Sequence, residues 1–168
     1  MSRAFVKEND LEHAGIDIPE RPISGEINYV TPYGLEMLHA NVEKFEVERL
    51  KMMGDESPSS KEKKMRLERE IRYFFSRIES AILINPHDQP KDIVLFSAMV
   101  EIENSEGHVQ SFEIVGEDEA DIKKSKISYL SPLAKALIGA KIDDEVVWQK
   151  PSGDEILTIT GIRYPEKI

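Results

Sequence analysis

Four arginines, Arg66, Arg69, Arg72 and Arg77, recur at spacings of three, three and five residues. Such a series on a helix can bring guanidinium groups near a polyanion. The interspersed Glu68, Glu70 and Glu79 allow a plainer outcome, an ordinary coiled-coil surface laced with ion pairs. Just upstream, Asp55 and Glu56 follow Gly54. Carboxylates there precede a helix, where the dipole favours them, and they keep a tip soluble. A second acidic run, Glu117-Asp118-Glu119-Ala120-Asp121, is followed by the pair Ser131-Pro132. For these the plain roles are solvation and helix capping. Nothing else in the chain forms a reactive group. His13, His39, His87 and His108 are scattered without metal-ligand spacing, and cysteine is absent. There is no glycine-rich nucleotide loop and no Ser/His/Asp constellation to argue from.

Charge is unevenly spread over the 168 residues, whose net value is −10. Residues 1–43 carry 3 basic and 8 acidic side chains, residues 44–79 carry 10 and 8, and residues 80–168 carry 9 and 16. The basic excess is therefore confined to the segment that holds the arginine series. A general nucleic-acid binder would be dominated by its basic patch. This balance suits a protein that docks on another protein and brings one basic face near a polyanion. No apolar run approaches a membrane span, and the start Met1-Ser-Arg-Ala-Phe5 lacks the apolar segment of a secretion signal. A cytoplasmic, monomeric protein without membrane contact is expected.

The elements that must position these residues fall into four stretches. Residues 1–28 are polar and acidic, with the pattern Pro19-Glu-Arg-Pro22, and read as a mobile tail. Residues 29–84 read as an antiparallel helical hairpin. Leu35, Leu38, Val42 and Phe45 form the seam of its first arm; Leu67, Ile71, Phe74, Ile78 and Ala81 form that of its second. Thr31 and Pro32 suit the cap and first position of the first helix. Gly54–Ser60 is the expected tip, with Ser59-Ser-Lys-Glu62 as a capping box opening the second helix. Residues 85–92, broken by Pro86 and Pro90, form a linker. In residues 93–168, Val94, Phe96, Ala98, Val100 and Ile102 alternate as one strand. Further strands are expected at 110–114, 127–130, 146–149 and 156–164, with a short helix between Ser131 and Gly139. The fold class is α+β: a coiled-coil hairpin followed by a small antiparallel-sheet domain.

The stretch Phe112–Gly116, the acids Glu119-Ala-Asp121 and the run Ile127-Ser-Tyr-Leu-Ser-Pro-Leu-Ala-Lys-Ala-Leu-Ile-Gly139 resemble the carboxy-terminal domain of the bacterial transcript-cleavage factors GreA and GreB. Arg69-Glu-Ile-Arg-Tyr73 with Arg77-Ile-Glu79 is similar to the family's basic second helix, and the likeness spans roughly residues 30–165. The resemblance implies an FKBP-like second domain that binds RNA polymerase beside its secondary channel, through Asp118, Glu119, Ser131 and Pro132. It implies a hairpin that enters the channel, with Arg66, Arg69, Arg72 and Arg77 facing nascent RNA or acidic polymerase surface. Tip acids, here Asp55 and Glu56, would help hold a Mg²⁺ shared with the polymerase active site. That ion commonly takes one or two protein carboxylates, with water and phosphate completing its shell. The chain would bind no cofactor stably and be an accessory factor, since the polymerase supplies the catalytic centre of RNA cleavage.

Two departures keep a second version open. Direct alignment of Gly54-Asp55 on the family's tip puts Pro58 where the second acid belongs. The hairpin is also shorter than the family's by about two turns per arm, roughly 10 Å of reach. A regulator that occupies the channel without stimulating cleavage is the alternative. A prolyl isomerase would need an aromatic-lined pocket, for which Phe96, Phe112, Tyr129, Trp148 and Tyr164 are few. Phe112 and Trp148 are expected in the core. A coiled-coil adaptor with another partner is the plainest alternative.

Overall fold

A computed structural model describes residues 18–166 of the chain. Expectations for the tail up to residue 17 lie outside the described residues. Helix α1 spans Pro32–Lys51 and helix α2 spans Pro58–Glu79, packed as an antiparallel hairpin. Thr31 caps α1 as expected, its hydroxyl accepting from Gly34 N–H at 2.9 Å, with Pro32 in the first turn. Arg49 and Lys51 meet the negative end of its dipole. Leu38, Val42, Leu67, Ile71 and Phe74 are buried along the expected seams. Phe45 stacks on Phe74 at 5.8 Å between ring centres.

The start of α2 differs from the expectation. Ser57, not Ser59, is its cap: the Ser57 hydroxyl accepts from Ser60 N–H at 3.3 Å. The reason is Pro58. A proline is readily housed in the first turn, so the helix begins there and the cap must precede it.

Below the hairpin lies a pair of strands too short to show any alternation in sequence. Strands β1 (Tyr29–Val30) and β2 (Ile82–Leu83) pair in parallel, joining the chain's entry into α1 with its exit from α2. A short 3₁₀ turn at Pro86–Asp88 then leads into the second layer.

That layer is a five-stranded sheet. Its strands are β3 (Met99–Asn104), β4 (Val109–Val115), β5 (Lys126–Ser128), β6 (Glu145–Trp148) and β7 (Glu155–Arg163), in the order β5-β4-β3-β7-β6. It is antiparallel except at one edge, where β5 runs parallel to β4. The acidic loop and a 3₁₀ turn at Ile122–Lys124 supply the crossover that this pairing needs. The expected strand over 94–102 is shortened to start at Met99. Ser97 has φ +69°, outside strand geometry. Val94 instead exchanges backbone bonds with Gly139 and Ala140. Its alternation with Phe96 and Ala98 was burial without strand pairing.

Helix α3 (Pro132–Leu137) covers the sheet, and Val100, Ile102, Ile114, Leu133, Leu137 and Ile159 form the core between them. Ser131 caps α3 by accepting from Ala134 N–H at 3.2 Å. Phe112 and Trp148 only flank this core, half-buried.

Candidate functional site

In the acidic loop after β4, Asp118 and Glu119 do not face solvent. The loop is driven into the base of the hairpin. Gly116 makes this approach possible, because a Cβ there would lie 2.6 Å from the Tyr29 carbonyl oxygen. Asp118 then reaches α2: its Oδ2 accepts from Arg77 Nε at 2.6 Å and its Oδ1 accepts from Tyr73 OH at 2.6 Å. Arg77 also donates to Glu117 at 3.2 Å and is only 2% exposed. Burial is the strongest single influence and disfavours its charge, yet the hydrogen bond and charge of Asp118, with Tyr73 and Glu117, together outweigh it and hold the guanidinium above its ordinary pKa. The Tyr73 hydroxyl is pushed up to about 12, first by burial and then by its bond to Asp118.

Glu119 makes the second half of the clamp. It is 5% exposed, accepts from the Thr31 hydroxyl and accepts from Lys126 Nζ at 2.7 Å. Lys126 also lies 3.6 Å from Glu113 and over the Tyr33 ring. Burial would lower the Lys126 pKa, but Glu119 and Glu113 raise it. Between the two halves, Tyr129 packs edge to face on Tyr29 and Phe96, which are themselves tilted against each other, all at 5.6–5.8 Å. Hairpin and sheet are therefore welded by the buried Arg77–Asp118 ion pair, the buried Thr31–Glu119 hydrogen bond and an aromatic cluster.

This corrects the expected roles of three residues. Arg77, Asp118 and Glu119 were expected to face outward; the structure spends them inside the chain. A buried arginine needs a carboxylate partner, and Asp118 is its partner. The spacing carried no signal for this: at ~100° per residue, the eleven residues from Arg66 to Arg77 bring it back to within about 20° of Arg66.

The other arginines lie on the surface in ion pairs. Arg66 bonds Glu62 at 2.6 Å, Arg69 bonds Glu70 at 2.8 Å, and Arg72 bonds Glu20. The last contact was unexpected. Residues 18–28, read as part of a mobile tail, lie against α2. Arg21 sits 3.7 Å above the Tyr73 ring centre and bonds Glu70 at 2.9 Å. Asn28 is buried, donating to the Arg77 carbonyl oxygen at 2.7 Å.

Ser131 and Pro132 stand elsewhere, on an open apolar concavity of about 410 Å³ shared with Phe112, Ile122, Leu133 and Trp148. Ile122 is 71% exposed there. Phe112 and Trp148, half-buried, thus face both the core and this surface.

At the far end of the hairpin, Gly54 turns the chain with φ +86°. Asp55 Oδ1 accepts from Ser57 N–H at 2.9 Å, and Lys64 donates to the Asp55 carbonyl oxygen at 2.8 Å. The bond from the Ser57 backbone, aided by its hydroxyl, holds the Asp55 carboxyl below its ordinary pKa. Glu56 is 77% exposed and lies 3.4 Å from Lys61.

Residues 89–164 match the family model described as "Transcription elongation factor, GreA/GreB, C-term". A transcription elongation factor GreB from Haemophilus ducreyi is 38% identical over 120 residues, covering 68% of this chain and 74% of that one. One from Neisseria meningitidis is 34% identical over 153 residues, 82% of this chain and 94% of that one. This chain belongs to the GreA/GreB family. Among solved structures, GreA factor homolog 1 (Gfh1) of Thermus thermophilus aligns over 82% of this chain and 99% of that one, at 21% identity and a loose TM-score of 0.40.

For a GreA/GreB chain the tip acids invite a test against Mg²⁺. Among the described residues no group of three or more His, Cys, Asp or Glu is placed to hold a metal. Asp55 keeps one carboxylate oxygen beyond the one bonded to Ser57, and Glu56 is open to solvent. The pair fits as a partial ligand set, completed by oxygens from another molecule and by water. No helix among the described residues is long and apolar enough to cross a membrane.

Proposed function

We propose that this chain docks on RNA polymerase through the surface around Ser131 and Pro132 and aims its hairpin through the secondary channel, modulating paused or backtracked complexes. The observation that carries this reading is the buried clamp of Arg77, Asp118 and Tyr73 with its companion Thr31, Glu119 and Lys126. A hairpin welded to the docking domain is a pointer: once the domain is seated, the tip's direction is set. At ~1.5 Å per residue, the 22-residue α2 is about 33 Å long. Asp118 and Glu119 serve docking indirectly, by fixing that direction. Ser131, Pro132, Phe112 and Trp148 offer the apolar contact area that protein partners bury.

The chain acts as an accessory factor, and the polymerase performs any cleavage of RNA. At the tip, Asp55 and Glu56 would be the ligands this chain offers to a Mg²⁺ shared with the polymerase. Such an ion supplies Lewis-acid polarisation of phosphate and a more acidic bound water. The residues' own contribution is placement: Ser57 orients the Asp55 carboxylate and keeps it ionised. On the exposed face of α2, Arg66, Arg69 and Arg72 would steer nascent RNA. A second reading, channel occupancy without stimulated cleavage, is favoured by Pro58 in the first turn of α2, where a second acid would otherwise stand.

The test is release of short 3′ RNA from a backtracked elongation complex in Mg²⁺, beside a pull-down on core polymerase. Binding with faster release supports the first reading. Binding that slows release by a competing cleavage factor supports the second. Absence of binding by the folded protein removes both.

A further inference from the structure

The segment 18–28 lies along α2 in a graded way. Its inner end is fixed: Asn28 is buried, and Tyr29 and Val30 enter the β1–β2 pair. Ser24 donates to Glu117 at 3.0 Å. Its outer end is held by contacts at the surface, Arg21 on Tyr73 and Glu70, and Glu20 on Arg72. Pro19 and Pro22 bracket these two residues and restrict the backbone beside them, so less entropy is lost when the strap lies down. Exposed ion pairs contribute little and are screened by salt. The inner end is thus an anchor and the outer end a weak latch.

What the latch covers gives it meaning. Glu20 occupies the guanidinium of Arg72, the innermost member of the exposed arginine row, with two hydrogen bonds. A phosphate oxygen would seek the same two donors. Arg21 lies on the ring of Tyr73, whose hydroxyl holds Asp118, so the strap also touches the clamp.

We propose that residues 18–28 form an autoinhibitory strap, in which Glu20 mimics a phosphate on Arg72 and is displaced when single-stranded RNA reaches the second arm. The strap peels from Glu20 inward and stops at Asn28. This rests on the reading of the arginine row as RNA-facing.

The experiment measures binding of a short single-stranded oligoribonucleotide to the full chain at low ionic strength. Arg72→Gln must weaken binding; if it does not, the RNA-facing reading fails and the strap with it. Glu20→Gln is expected to tighten binding about two- to threefold. Removing any acid would do some of that, so the cycle decides: in the Arg72→Gln background the gain must vanish. A gain that persists there is general electrostatics and overturns the strap. Arg21→Ala gives an opposite-sign check. As a mere phosphate contact its loss would weaken binding; as the strap's fastener its loss tightens it. Weaker binding by Arg21→Ala, with its circular dichroism unchanged, overturns the proposal. Because the chain has no cysteine, a fluorophore on Ile23→Cys reports the strap alone. Its rotational freedom should rise as the oligoribonucleotide is added, and unchanged freedom at saturation counts against displacement.

Discussion

At the base of the hairpin Arg77 is 2% exposed and bonded to Asp118, whereas at the tip Glu56 is 77% exposed and stands 3.4 Å from Lys61. Both regions are rich in acids and bases, and both lie on α2 or beside it. The difference is dielectric. Buried partners at the base cannot be exchanged for water, so each charge is committed to its neighbours within the chain. At the tip, water competes for every charge, and the side chains stay available to another molecule. Removing charge at the base should therefore be read in stability, and removing it at the tip in function.

The largest loss is expected from Asp118→Ala. It strands Arg77 in a buried site and takes the acceptor from Tyr73. A loss of about 3–5 kcal/mol is expected in urea denaturation. An Arg77→Met, Asp118→Leu pair should recover most of it, since a well-packed apolar pair is often as stable as a buried ionic one. A loss below about 1 kcal/mol for Asp118→Ala would put the clamp in the same class as the tip.

Next in size is the alkaline response of Tyr73. Its hydroxyl is pushed up to about 12 in the folded chain, against about 10 in an unfolded one. A group raised in this way contributes stability fully below the unfolded value and loses it as pH climbs through the folded one. Between pH ~10 and ~12 the folded state keeps the proton while the unfolded state sheds it, so stability should fall by about 2 kcal/mol. Tyr73→Phe should flatten that part of the denaturation profile while leaving other tyrosines to titrate. Thr31→Val should cost somewhat less, about 1–2 kcal/mol, by removing both the α1 cap and the donor to Glu119.

The same contrast explains what the sequence made legible. Caps at Thr31 and Ser131 were readable because each bond spans three residues, and local chemistry determines it. The helical seams were readable because Leu38, Val42, Ile71 and Phe74 repeat with the period of the helix. The clamp was not readable as such. Arg77 and Asp118 are 41 residues apart, and neither residue's neighbours state which charge will be covered. The acidic run Glu117–Asp121 had the composition of a solvated loop, and the close packing at Gly116 brings its Asp118 and Glu119 indoors. Strand β3 was overextended for a related reason: periodicity reports burial, and Val94 is buried by pairing with Gly139 and Ala140 rather than within the sheet. The proline at position 58 decided the cap at the tip, a local rule that the Ser59–Glu62 pattern obscured.

The smallest expected effect on stability is at Asp55, which makes it the cleanest functional probe. Asp55→Asn keeps an oxygen able to accept from Ser57 N–H, so the turn and the start of α2 survive. What disappears is the charge, which the Ser57 bonds hold in place by lowering the carboxyl pKa. That preference favours the fold above the ordinary carboxylate pKa and is lost as pH falls through the depressed one. At this exposed site the resulting change in unfolding midpoint should be within error at neutral pH. RNA release from a backtracked complex is then a pure readout of the carboxylate. Loss of stimulated release in Asp55→Asn, with unchanged polymerase binding, would make the tip a ligand supplier despite Pro58. Equal release by both proteins would leave Asp55 as a turn residue, and the clamp and strap as the working parts of the hairpin.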